Sequence, residues 1–145
     1  MQLFPSKAPM IATALTLVLS VACGDSTSPD EGETQDFSGN YTLHEISSGT
    51  VGGSLTVLAG STGTFNMTAT TYEVLIDVSN GLQTIDDHGT YTATGTATAG
   101  NFTQQSSVDP ALQYQGTYAW NASTNRLTID TSSQGVRTVL VLQRN

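Results

Sequence analysis

From Phe37 to Asn145, apolar and polar residues alternate one by one over most of the chain. Leu112, Tyr114, Tyr118 and Trp120 share one parity, with Gln113, Gln115 and Thr117 on the other. Leu127 and Ile129 alternate with Arg126, Thr128 and Asp130, and Tyr41 and Leu43 with Asn40, Thr42 and His44. Successive side chains of a strand point to opposite faces. A period of two therefore predicts strands with one buried and one wet face, as in an antiparallel sheet. No long segment has apolar residues at helical spacing. Turn signals such as "AGSTG", "SNG", "NASTN" and "SSQG" divide the pattern into roughly eight strands: 40–46, 52–59, 63–78, 83–96, 100–107, 112–120, 125–131 and 136–143.

Two of these runs carry extra information. In the third, Phe65 and Met67 are odd, but Val74, Ile76 and Val78 are even. Either a β-bulge near Thr70 or Thr71 bends one long strand, or a tight turn there makes two strands and a count of nine. The last run, "VRTVLVLQ", is apolar on both faces around Val139 to Leu142. Such a strand is covered on both sides, or is an edge that pairs with the first strand to close the sheet. A Gly-x-aromatic device recurs at Gly39, Gly63, Gly89 and Gly116. Each glycine shares its parity with an inward ring, giving the backbone a point of close approach beside a bulky side chain, which suits a curling sheet.

The first residues follow another rule. "MQLFPSKAPMIATALTLVLSVAC" has one base, Lys7, no acid, and an apolar run from Met10 to Ala22. That run is shorter than the roughly 20 residues a membrane-spanning helix needs, so residues 1–22 read as a secretory signal. "LSVAC" resembles the lipobox of bacterial lipoproteins, in which the cysteine is acylated and becomes the new N-terminus. The resemblance implies lipidation at Cys23, the only cysteine, and an exported protein anchored in the cell envelope, at the outer membrane. The anchor holds the protein to the membrane without spanning it. Residues 23–36 carry five acids, no base and no large apolar residue, and read as a solvated, flexible tether. Residues 37–145 form the folded domain.

The whole chain has 12 acidic residues against 4 Lys and Arg, a net charge of −8. Beyond Cys23 the only bases are Arg126, Arg137 and Arg144, so a nucleic-acid partner, which needs clustered cations, is excluded.

"FSGNYTLHEI", "GTYTATG", "GTYAWNASTNRLTI" and "RTVLVLQRN" together look like a lipocalin-like domain. The resemblance implies an all-β fold, an antiparallel up-and-down barrel of eight strands (eight to nine here). In that family a Gly-x-Trp of the first strand packs under an arginine near the end of the last. Here Gly39 and Tyr41 match the first, with Tyr for Trp, and Arg144 matches the second, so Tyr41 and Arg144 are the expected barrel-closing pair. The family also implies a small hydrophobic ligand. Its candidate lining is Tyr41, Phe65, Tyr91, Phe102, Tyr114, Tyr118 and Trp120, rings that otherwise fill the core.

Catalytic chemistry finds little material. "DDH" puts Asp86 and His88 on one face of a strand and Asp87 on the other, and His44 is the only other histidine, too few for a metal set. No nucleophile elbow, phosphate loop or facing carboxylate pair is evident. "NYT", "NMT", "NFT" and "NAS" match the glycosylation acceptor and read as by-products of a Thr/Asn-rich surface. The expectation is a non-enzymatic protein without metal or cofactor: a ligand-binding barrel, or an interaction lipoprotein with a filled core.

Overall fold

The computed structural model describes residues 32–145. The signal segment 1–22, Cys23 and most of the tether lie outside the described residues. Nine strands follow in order: β1 (Gly39–Thr50), β2 (Thr56–Val57), β3 (Thr62–Met67), β4 (Thr71–Val78), β5 (Gln83–Gly95), β6 (Ala99–Ser106), β7 (Gln113–Asn121), β8 (Arg126–Ser133) and β9 (Val136–Arg144). Each of β3 to β8 pairs antiparallel with the next, β3 also pairs with β1, and β9 returns to β1. Eight strands thus form a closed up-and-down barrel, with β2 as a two-residue addition beside Ser47 and Ser48 of β1. β9 is the strand that closes the barrel, with a neighbour on each edge; Leu140 and Leu142 of "VLVL" face inward, while Val139 and Val141 lie half-buried on the outer face. Closure leaves no long unpaired edge to recruit another chain.

The inward faces are those that parity selects. Tyr41, Leu43, Phe65, Met67, Tyr72, Val74, Ile76, Val78, Tyr91, Ala93, Phe102, Tyr118, Leu127, Ile129 and Leu142 are all buried in one core. Burying each large side chain contributes about 1.5–3 kcal/mol before entropy is counted. In β1 the register slips between Leu43 and Glu45, so His44 bulges out and Ile46 regains the interior, opposite Leu140.

Three details differ from the sequence pattern. Residues 63–78 are two strands, not one: the chain turns at Thr68–Thr71. There the Thr68 hydroxyl accepts from the Thr71 N–H at 3.0 Å, and the Thr68 N–H donates to the Thr71 carbonyl at 2.9 Å. Of residues 52–59 only Thr56–Val57 is strand, because β1 runs on to Thr50 and the chain then reverses through Gly52, which has φ +79°. These two differences offset each other and the barrel still has eight strands. Finally, Glu33–Asp36, which acidity assigns to the tether, lies against the barrel. Thr34 bridges Thr94, the Gln35 N–H donates to Ala93 O at 2.8 Å, and the Gly95 N–H donates to Glu33 O at 3.0 Å. The physical reason is pairing demand: β4 matches β5 only up to Thr90, so the rest of that edge is open for another segment.

That segment then crosses one end of the barrel as a floor. Phe37 is buried, with its ring 4.9 Å from that of Tyr118 in an edge-on arrangement. Its backbone is satisfied by two tyrosines: its N–H donates to Tyr91 Oη at 3.3 Å, and its carbonyl accepts from Tyr41 Oη at 2.8 Å. Arg144 closes the same end from outside. Its guanidinium lies 5.8 Å from the Tyr41 ring and 5.9 Å from the Trp120 ring, and it donates to the Ser38 carbonyl.

Candidate functional site: the barrel mouth

The opposite end is built from the connections 51–61, 79–82, 107–112 and 134–135. The first two are tied together, since the Asn80 N–H donates to Gly60 O at 3.1 Å and the Ser79 N–H to Ser61 Oγ at 2.9 Å. Val51, Val57, Leu82, Val108 and Val136 are exposed here, Leu82 at 86%. Leu75 is the remaining large apolar side chain that is exposed among the described residues, and it lies on the outer wall. Apart from Leu75, the exposed large apolar side chains among the described residues are thus gathered at this end, with none at the floor.

Inside this rim lies a cavity of about 100 Å³. Ile46, Phe65, Val74, Ile76, Ile85 and Leu140 form its apolar wall, while Asp87, Gln104, Tyr114, Thr131 and Thr138 form a polar one. Asp87 is inward because β5 alternates: Ile85, Asp87, Gly89 and Tyr91 share one face. Its carboxylate accepts from Tyr72 Oη at 2.8 Å, Ser106 Oγ at 2.6 Å and the His88 N–H at 2.9 Å. Ser106 is itself buried, and its hydroxyl accepts from the N–H groups of Val108 and Asp109 at 3.1 and 3.0 Å. The carboxylate and the 107–112 rim loop are thereby one hydrogen-bonded unit. Burial raises the phenol pKa of Tyr72, and the hydrogen bond to the Asp87 carboxylate raises it further, against an opposing contribution from Gln104. Burial raises Tyr114 in the same way. Both phenols stay protonated donors at any physiological pH.

The seven candidate rings do not share one pocket. Phe65 and Tyr114 line the cavity. Tyr41, Tyr91, Phe102, Tyr118 and Trp120 pack in the lower half and floor, where Tyr91 and Phe102 stack at 5.4 Å and Tyr118 Oη donates to Thr96 O at 2.5 Å. Burial pushes the Tyr91 phenol up to about 12, in keeping with a packing role. Asp86 and His88 project outward, into a larger, solvent-open concavity of about 730 Å³ on the outer wall with Asn66 and Glu73. Among the described residues no three His, Cys, Asp or Glu side chains stand where they would hold a metal ion.

Sequence reasoning weighed Asp86 and His88 and passed over Asp87. The signal was present: Asp87 has the parity of Gly89 and Tyr91, which the Gly-x-aromatic device already placed inside. Comparison of the chain with protein-family models, with curated proteins and with solved structures gives no match.

Proposed function

We propose that this is an exported, lipid-anchored cell-envelope protein whose lipocalin-like barrel binds a small, largely apolar ligand at its mouth, without catalysis. One observation carries the reading: the barrel is closed at the floor, and the half of its interior toward the other end keeps a cavity with an apolar wall facing a polar one. That is the form in which barrels hold small molecules. The described chain joins the barrel at the floor, through Glu33–Asp36, so the tether to an acyl anchor on Cys23 starts at the end opposite the mouth.

The cavity is smaller than the few hundred cubic ångströms of a drug-sized site. It takes one end of a ligand, and the rim of Leu82, Val108 and their neighbours covers the rest. Native mass spectrometry of the purified full chain tests this. A bound mass in the small-molecule range, lost when Ile85→Trp fills the cavity, is the expected result.

A second reading is favoured by the filled lower half and by the exposed rim: a protein-interaction lipoprotein with a solid core. Under it no small molecule co-purifies, and Leu82→Asp abolishes capture of a partner while Ile85→Trp does not.

A further inference from the structure

Resting on the ligand reading above, we infer that the ligand carries a cationic or multiply donating head group, such as a primary ammonium, which docks against Asp87. The site is a built one. A carboxylate has about four acceptor positions, and three of those on Asp87 are taken by Tyr72, Ser106 and the His88 N–H. Those contacts fix the carboxylate in the cavity lining, which also holds Gln104 and Tyr114, and leave acceptor capacity on Oδ2, which takes one donor where Oδ1 takes two.

No base lines this cavity. Among the described residues the three arginines are committed elsewhere: Arg137 to Asp130, Arg126 to Gln143, and Arg144 to the floor. A negative charge is thus held by neutral donors at the edge of an apolar chamber, with no protein cation to balance it. An anionic head would meet repulsion in a setting that strengthens it, whereas a cation would gain a charge-assisted hydrogen bond. The net negative charge of the chain attracts cations to the mouth in the same sense. The apolar walls then accept the first carbons of the ligand, and the exposed rim its remainder.

The test compares three probes of one body, hexylammonium, hexanol and hexanoate, titrated into the full chain by calorimetry and by chemical shift. The expected order is ammonium, then alcohol, then carboxylate. The ammonium should lead the alcohol by roughly tenfold, the margin of a charge-assisted over a neutral hydrogen bond. Shifts should concentrate at Ile85, Thr131, Thr138 and Leu140. Asp87→Asn, which keeps the shape, should bring the ammonium down to the level of the alcohol. If the carboxylate binds as well as the ammonium, or Asp87→Asn leaves the preference intact, the head-group inference is overturned while the ligand reading stands. If none of the three binds in the cavity, both fall. The comparison on the unmodified protein decides the matter even should the variant fold poorly.

Discussion

Tyr41 and Arg144 sit directly opposite each other in the register of β1 and β9, and the guanidinium lies over the tyrosine ring at 5.8 Å. Residues from the two ends of the folded chain therefore meet at the seam that closes the barrel. The arginine also covers Gly39, whose φ of +151° suits a residue without a side chain. A Cβ there would approach Arg144 Nε to 3.0 Å.

Replacing Arg144 by alanine removes contacts with two rings and the hydrogen bond to Ser38. A partly exposed cation–π contact is worth about 0.5–1 kcal/mol and a hydrogen bond about 1 kcal/mol, so a loss of about 1–3 kcal/mol is expected. Urea denaturation measures it through the transition midpoint. Arg144→Lys should recover less than half, because an ammonium cannot lie flat between Tyr41 and Trp120 while reaching the carbonyl.

The glycines of the Gly-x-aromatic device give a second prediction. A Cβ on Gly116 would fall 1.9 Å from the Asp130 carbonyl oxygen, whereas one on Gly81 would meet nothing within 4 Å. Gly116→Ala forces backbone apart at a central strand pair, so a cost of 2 kcal/mol or more is expected, within the range of overpacked interiors. Gly81→Ala, with φ +84°, costs only the left-handed backbone, about 1–2 kcal/mol. Equal losses in thermal unfolding would remove the close-approach account.

This contrast marks what could be read from the residues in advance. Alternation around Tyr41, Tyr118 and Leu127 identified the inward faces because one buried face dictates parity without knowledge of neighbours. The Thr68–Thr71 turn stayed ambiguous because "TATT" lacks Gly, Pro or Asn; a threonine hydroxyl replaces the usual turn chemistry. The floor segment Glu33–Asp36 was illegible because its order comes from an unpaired edge of β5, a long-range demand that local acidity does not reveal. Asp87 was legible from its shared parity with Gly89 and Tyr91, but "DDH" was weighed only as a metal set, which draws attention to the face that Asp86 and His88 share.

The ion pair of Asp130 and Arg137 supplies a pH dependence. Both guanidinium contacts are short, 2.9 and 2.6 Å, and the side chains remain about a third exposed. The hydrogen bond from Arg137 lowers the Asp130 pKa below its ordinary value. A depressed carboxyl pKa gives stability that is present above the unfolded value, about 3.9, and is lost as pH falls through the folded one. Solvent screening keeps the pair's contribution small. Asp130→Asn should lower stability modestly at pH 7, and the deficit should shrink at a pH well below the unfolded value. Parallel denaturation curves at both pH values check the sign, and an unchanged difference at low pH counts against the pair as its source.

The anchor proposal makes the last prediction. Among the described residues no large apolar side chain is exposed at the floor where the chain enters, and there are few bases to hold the barrel to anionic headgroups. Most of the exposed large apolar side chains among the described residues lie at the mouth rim, and no helix among them is long and apolar enough to cross a bilayer. On the anchor proposal, membrane association comes from acyl chains on Cys23, each buried methylene contributing about 0.8 kcal/mol. Cys23→Ser should move the protein from the membrane pellet to the soluble fraction. Leu82→Asp should leave its distribution unchanged, which separates lipid anchoring from adhesion by the rim. Retention of the serine variant in the pellet, with release by Leu82→Asp, would reverse that assignment and place the mouth, rather than the N-terminus, on the membrane.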